Sequence, residues 1–171
     1  LPVDGSPITS SRPLPVTGLT GARLTASVTG TGTREFGTRV TAVTARALGR
    51  MLRAARADGV ELRVVSGYRS FERQKALFER AQLRHGADQR WVAAPGTSEH
   101  QLGTTVDFCD AAMQQVTEPG FADTAEGRWL ARNARRFGWI RSYTEENQEQ
   151  TGYRPEPWHY RFGVIDVGEP R

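Results

Sequence analysis

Between residues 38 and 58, apolar side chains recur at Val40, Val43, Ala47, Leu48, Met51, Leu52 and Ala55, three or four residues apart, with arginines on the opposite face. That spacing predicts an amphipathic helix with its apolar stripe toward a core, and Gly59 is placed to stop it. Residues 60–65 (VELRVV) read as a strand. Ser70 can cap a second helix over 71–84, with Phe71, Leu77, Phe78 and Ala81 turned inward and Gly86 ending it. A polar loop follows over 86–105, then a short strand over 106–109 (VDFC). Asp123, with Glu126 three residues on, forms a capping box for a third helix running to Phe137 and closed by Gly138. Residues 139–143 and 158–162 read as further strands. These short strands cannot all be joined by tight crossovers, so the pattern predicts an α+β fold: a small antiparallel sheet flanked by about three main helices.

Four prolines in the first 20 residues, with serine, threonine and glycine, read as an extended arm or linker, leaving 21–171 as one domain. A chain of 171 residues with 37% hydrophobic and 25% charged side chains can bury a core without disulfide staples. It has no run near the roughly 20 apolar residues that a transmembrane helix needs. The chain opens on Leu1 and not on methionine, so any preceding targeting segment is not visible in it.

Charge adds one local feature. Lys75 is the only lysine among 23 basic residues, and from Arg34 to Arg90 there are 13 basic and 6 acidic side chains. Such a surplus can attract polyanions, an anionic cell wall among them, or simply solvate helix faces. No nucleic-acid recognition motif accompanies it. Cys109, the one cysteine, sits in an apolar run and reads as a small buried hydrophobe without an argued base.

The chemistry-bearing residues lie in the loop and the late strands. Of three histidines, His85 falls at a helix end beside Gly86 and reads as a surface residue. His100 ends a Pro-Gly-Thr-Ser-Glu-His run, and Asp107 lies seven residues on, between Val106 and Phe108, where a carboxylate is costly unless paired. His159 stands among aromatics, with Glu156 three residues before it. Two imidazoles and one carboxylate would hold zinc with a fourth position left for water, and Glu156 could take that water's proton. A histidine next to an aromatic strand is more often a hydrogen-bonded core residue than a ligand. On a regular strand Glu156 and His159 would face opposite sides, so the pair converges only if Pro157 bends the chain. Other hydrolase signatures are missing: no His-Glu-x-x-His, no Ser-x-x-Lys, and a Gly-x-Ser run that lacks its second glycine.

Three motifs then appear in order: Ser66-Gly67-Tyr68-Arg69-Ser70 with Gln74; Pro95 to Gly103 (PGTSEHQLG) with Val106-Asp107; and Thr151 to Arg161 (TGYRPEPWHYR). Together they resemble the VanY-type D-alanyl-D-alanine carboxypeptidases, within the wider group of zinc peptidases that includes lysostaphin and the hedgehog signalling domain. The likeness spans roughly residues 35–165. It implies that the sheet carries one zinc ion on His100, Asp107 and His159, that Glu156 is the catalytic base acting on the zinc-bound water, and that Arg69 holds the scissile carbonyl or the terminal carboxylate. Ser98 and Gln74 resemble polar residues lining the substrate end of the cleft. Thr104-Thr105 fills positions where the family usually has small apolar residues, and Asp110 follows Cys109 in a less typical run; neither is among the implied ligands.

The resemblance implies removal of the terminal D-alanine from peptidoglycan stem peptides, hence a site of action outside the cytoplasmic membrane. An L,D-carboxypeptidase or a peptidoglycan endopeptidase would use the same metal residues. A non-catalytic wall-binding module is a third reading, against which Glu156 argues, since a purely structural zinc site needs no adjacent base.

Overall fold

The structure, a computed structural model, describes residues 38–163; the arm expected over residues 1–20 lies outside them. Helix α1 spans Ala42–Ala57, β1 Arg63–Ser66, α2 Phe71–His85, β2 Thr105–Cys109, α3 Ala125–Asn133, β3 Trp139–Arg141, α4 Gln148–Thr151 and β4 His159–Phe162. The four strands form one antiparallel sheet in the order β1-β2-β4-β3. The fold is α+β, as the hydrophobic pattern predicts. No helix among the described residues is long and apolar enough to cross a membrane.

Local chemistry sets the helix limits. Thr41 caps α1, its hydroxyl accepting from the Thr44 N–H, so the helix starts four residues later than its apolar spacing suggests. Val43 then falls on the outer face and is half exposed. Ser70 caps α2 as expected, through the Arg73 N–H. Phe71, expected inward, is exposed, and the buried positions of α2 are Gln74 and Ala81. The third helix is capped by Thr124, which accepts from Gly127 N–H at 2.9 Å, and not by Asp123. Glu126 is thereby freed to reach across to the Ala111 N–H, 3.2 Å away. The last turn of this helical segment, Ala134–Phe137, tightens to 3-10 geometry and stops at Gly138, whose φ of 80° suits glycine.

Strand alternation separates the two faces of β2. Val106 and Phe108 join a core cluster with Leu48, Met51, Leu130, Trp139 and Tyr160, so α1 and α3 cover that face. The Phe108 ring meets Trp139 and Tyr160 edge-on, with centroids 6.3 and 5.8 Å away. Thr105, Asp107 and Cys109 alternate to the other face. The Trp129 indole N–H donates to Asp58 at 2.8 Å, tying α3 to the end of α1.

A close approach at the end of β1 fixes how the 38–40 stretch lies. Tyr68 N–H donates to the Arg39 carbonyl at 2.6 Å, and a Cβ on Gly67 would sit 2.7 Å from that same oxygen while striking the Thr38 side chain. Only a residue without a Cβ fits there unless backbone moves. Gly67→Ala is therefore expected to lower unfolding free energy by about 1–3 kcal/mol; urea denaturation of the variant checks it, and an unchanged midpoint would show that the 38–40 stretch yields freely.

Candidate metal centre

Sheet register brings the first two candidate ligands together. In the β2–β4 ladder Asp107 pairs directly with His159, so both side chains leave the same face. His100 comes from a 3-10 turn, Glu99–Leu102, that immediately precedes β2. The backbone of this turn is braced to the exit of β1. Arg69 N–H donates to the His100 carbonyl at 3.1 Å, and the His100 Nδ1 lies 2.7 Å from the Gly67 carbonyl.

All three side chains are buried and offer ligand atoms within 4.8 Å of one another. His100 Nδ1 is engaged by Gly67, which leaves Nε2, 3.1 Å from Asp107 Oδ2. His159 Nδ1 lies 3.1 Å from Asp107 Oδ1. Two atoms each about 2.0–2.1 Å from one tetrahedral zinc stand about 3.3 Å apart, so these separations fit a shared ion of that size. Two neutral imidazoles and a carboxylate are also a donor set zinc accepts. The two histidine rings meet edge-to-face, with centroids 5.0 Å apart.

The expected bend at Pro157 is present. Residues 156–159 form a tight turn in which His159 N–H donates to the Glu156 carbonyl at 3.2 Å, and β4 begins only at His159. The turn carries Glu156 to the ligand side, with its Oε2 3.4 Å from His159 Nδ1. Glu156 N–H is in turn anchored on the Tyr143 carbonyl at 3.1 Å.

Arg69 reaches the same cluster, its guanidinium 3.8 Å from Asp107 Oδ2. It is oriented by Gln74 Oε1 at 2.9 Å and Ser66 Oγ at 3.2 Å. Gln74 is fully buried, and its amide N–H donates to the Ala93 carbonyl at 2.6 Å. Both ends of that amide are thus spent inside the protein, and Gln74 stands behind Arg69, not on an open cleft wall. Ser98 is buried at the entry to the 3-10 turn that carries His100. The departures at Thr105 and Asp110 are structural: Thr105 is buried in β2, and Asp110 accepts from the Gln114 and Gln115 N–H groups to fold the following loop.

Three residues of this environment were not singled out by the residue pattern: Glu99, Ser142 and Tyr143. Glu99 Oε2 lies 3.0 Å from His159 Nε2 and accepts from Ser142 Oγ at 2.5 Å. The Tyr143 ring packs on His159 with centroids 4.9 Å apart. Adjacency to His100 was the one available hint for Glu99. Ser142 and Tyr143 lie some sixteen residues or more from any ligand, and only folding brings them in.

The electrostatics favour a cation at this point. Burial raises the Asp107 carboxyl, but the His100 and His159 contacts outweigh it and hold the group far below its usual range. Burial would lower His159, yet hydrogen bonds to Asp107 and Glu99 push it up to about 10. Burial pushes the Glu156 carboxyl up to about 7 even though His159 opposes the shift. Three carboxylates crowd two imidazoles, so positive charge between them relieves the repulsion.

Cys109 is buried, as its apolar run suggests. Burial pushes the fully buried Cys109 thiol up to about 11, and it donates to Asp110 at 3.1 Å. Iodoacetamide near pH 8 is expected to leave Cys109 of the native protein unmodified and to label it after denaturation, read by intact mass; rapid native labelling would reopen a thiol mechanism.

A family model described as VanY, D-alanyl-D-alanine carboxypeptidase, matches residues 37–165. The D-alanyl-D-alanine carboxypeptidase of Enterococcus faecalis is 39% identical over 125 residues, covering 67% of this chain and 44% of that protein. The bifunctional D-Ala-D-Ala dipeptidase and carboxypeptidase VanXYC of Enterococcus gallinarum is 35% identical over 116 residues, covering 64% of this chain and 61% of that one. The chain therefore spans less than half the length of the first of these relatives. Among solved structures, the LdcB LD-carboxypeptidase superposes with a TM-score of 0.70 at 35% identity, covering 77% of this chain and 63% of that one. The zinc complex of a D,D-pentapeptidase VanY variant from a VanB-type resistance cassette gives 0.64 at 36% identity, covering 78% of each chain.

Proposed function

The chain belongs to the VanY family of D-alanyl-D-alanine carboxypeptidases, and we propose that it is a zinc-dependent carboxypeptidase removing the terminal D-alanine from peptidoglycan stem peptides. The observation that carries this reading is the cluster of His100, Asp107 and His159 with Glu156 3.4 Å from the His159 nitrogen that faces Asp107. Among the described residues no fourth His, Cys, Asp or Glu joins the three, as suits a catalytic and not a structural site.

His100 Nε2, an Asp107 oxygen and His159 Nδ1 would hold the ion. Bound there, zinc supplies Lewis-acid polarisation of the scissile carbonyl and makes water a stronger acid. Glu156 takes one proton from the attacking water at a carboxylate oxygen as the water oxygen bonds to the penultimate carbonyl carbon. It then delivers that proton to the amine nitrogen as the carbon–nitrogen bond breaks, so base and acid are the same group. Arg69, pinned by Gln74 and Ser66, offers a fixed cation to the developing oxyanion or to the substrate's terminal carboxylate. Such an enzyme acts where its substrate is, outside the cytoplasmic membrane. The arginine surplus between Arg34 and Arg90 would concentrate it on an anionic wall.

A second reading keeps the metal chemistry and changes the bond. The LdcB LD-carboxypeptidase superposes with a TM-score of 0.70 at 35% identity, alongside 0.64 and 36% for the D,D-pentapeptidase, and that likeness supports cleavage of the tetrapeptide's terminal D-alanine as the alternative.

Mass spectrometry of pentapeptide and tetrapeptide muropeptides, with and without a zinc chelator, separates the two. Chelator-sensitive loss of one alanine from the pentapeptide is expected; loss from the tetrapeptide alone would assign L,D specificity, and no cleavage with zinc bound would overturn both. Glu156→Gln should retain stoichiometric zinc while kcat falls about 10²- to 10⁴-fold; near-normal turnover in this variant would remove Glu156 from the proton transfer. Binding to isolated walls is expected to weaken as ionic strength rises from about 0.05 to 0.5 M, and salt-independent binding would defeat the electrostatic account.

A further inference from the structure

Glu99 occupies a position that neither the ligand set nor the proton transfer uses. It is 8% exposed, its Oε2 lies 3.0 Å from His159 Nε2, and the same oxygen accepts from Ser142 Oγ at 2.5 Å. Its other oxygen faces Arg161 Nε at 3.5 Å. Arg161 and Ser142 belong to different parts of the fold: Arg161 follows His159 by two on β4 and therefore shares its face, and Ser142 follows β3. Two separate segments, β4 and the residues after β3, thus converge on one buried carboxylate, and that carboxylate turns toward the far side of His159.

We infer that Glu99 is a positioning residue for the metal centre: it takes the Nε2–H of His159 and so keeps Nδ1 as the metal-facing nitrogen. The inference rests on the proposed ligand assignment. Imidazole has two nitrogens, and a ring free to flip about its Cβ–Cγ bond could present either to an ion. A hydrogen-bond acceptor fixed behind Nε2 selects the tautomer and the ring orientation, and its negative charge makes Nδ1 a better donor. His100 is handled the opposite way. There the Gly67 carbonyl takes Nδ1 and Nε2 faces the ion. The two histidines therefore use different nitrogens, each chosen by its own partner: a neutral backbone carbonyl for one, an ionised side chain for the other. Ser142 and Arg161 hold Glu99 in turn, which explains why a carboxylate with no place in the reaction is retained in a buried position.

Zinc affinity of the full chain, measured by competition with a chromogenic chelator, tests this without reference to turnover. Glu99→Ala is expected to weaken zinc binding about 10- to 100-fold and to change the visible spectrum of the cobalt(II)-substituted protein, which reports ligand geometry. Glu99→Gln, which keeps an oxygen acceptor but loses the charge, should fall between Glu99→Ala and the parent. His159→Ala in the same assay should abolish tight binding. A role confined to packing would lower the melting temperature of chelator-treated protein and leave zinc affinity and the cobalt spectrum unchanged, which overturns the inference. Should Glu99→Ala fail to fold, Glu99→Gln decides, and parental affinity in that variant is likewise a refutation. Loss of zinc by His159→Ala together with parental affinity in both Glu99 variants defeats only the role of Glu99. Retention of zinc by His159→Ala would defeat the ligand assignment itself.

Discussion

The direct pairing of Asp107 with His159 across the β2–β4 ladder is the constraint on which the rest depends. Side chains alternate along a strand, so a slip of one residue would turn Asp107 into the core and Phe108 into the site. The register is held from the other face. Val106, Phe108 and Tyr160 lock against Trp139 and the apolar stripes of α1 and α3, where a shifted strand would have to bury a carboxylate among aromatics. Hydrophobic packing on one side of the sheet thereby sets polar geometry on the other. The chemistry of the site needs no separate scaffold.

Burying so many ionisable groups is costly, and the structure meets that cost by mutual pairing. Asp107 is in contact with both imidazoles and Arg69; Glu99 is shared by His159, Ser142 and Arg161. Each group is tolerable only because its neighbours are present, which is why removing one partner of such a set costs more than the pair is worth. The backbone takes part as well. The Gly67 carbonyl that receives His100 lies where the chain passes close against Arg39, so steric exclusion helps to fix its position.

The candidate site depends on two turns that regular structure would not produce. The 3-10 turn Glu99–Leu102 supplies His100 and Glu99 from adjacent residues to different sides of the cluster, which a strand or an α-helix would not do in the same way. The turn at Pro157 folds Glu156 back beside His159, reversing the outward position that strand alternation assigns it. The geometry of the site in these places comes from breaks in periodicity, while the periodic elements hold the breaks in position.

Much was legible in the chain itself. The apolar spacing of α1, the serine cap of α2, the glycines that end the helices and the short apolar strands follow from local preferences, and they were sufficient for the α+β class. The three candidate ligands and Glu156 were conspicuous in the chain: a carboxylate inside an apolar strand, a histidine ending a polar Pro-Gly-Thr-Ser-Glu-His run, and a histidine among aromatics with a glutamate three residues before it. Their order and spacing also carry a family resemblance. Local preference misled where two caps competed, as at Asp123 and Thr124, and where helical phase depended on the starting residue, as at Val43 and Phe71. The burial of Gln74 behind Arg69, the choice of nitrogen on each histidine, and the convergence of Glu99, Ser142 and Arg161 were decided only by tertiary structure. Residues far apart in sequence meet through sheet register and loop closure, and no short-range pattern encodes a contact whose two halves lie 43 or 60 residues apart.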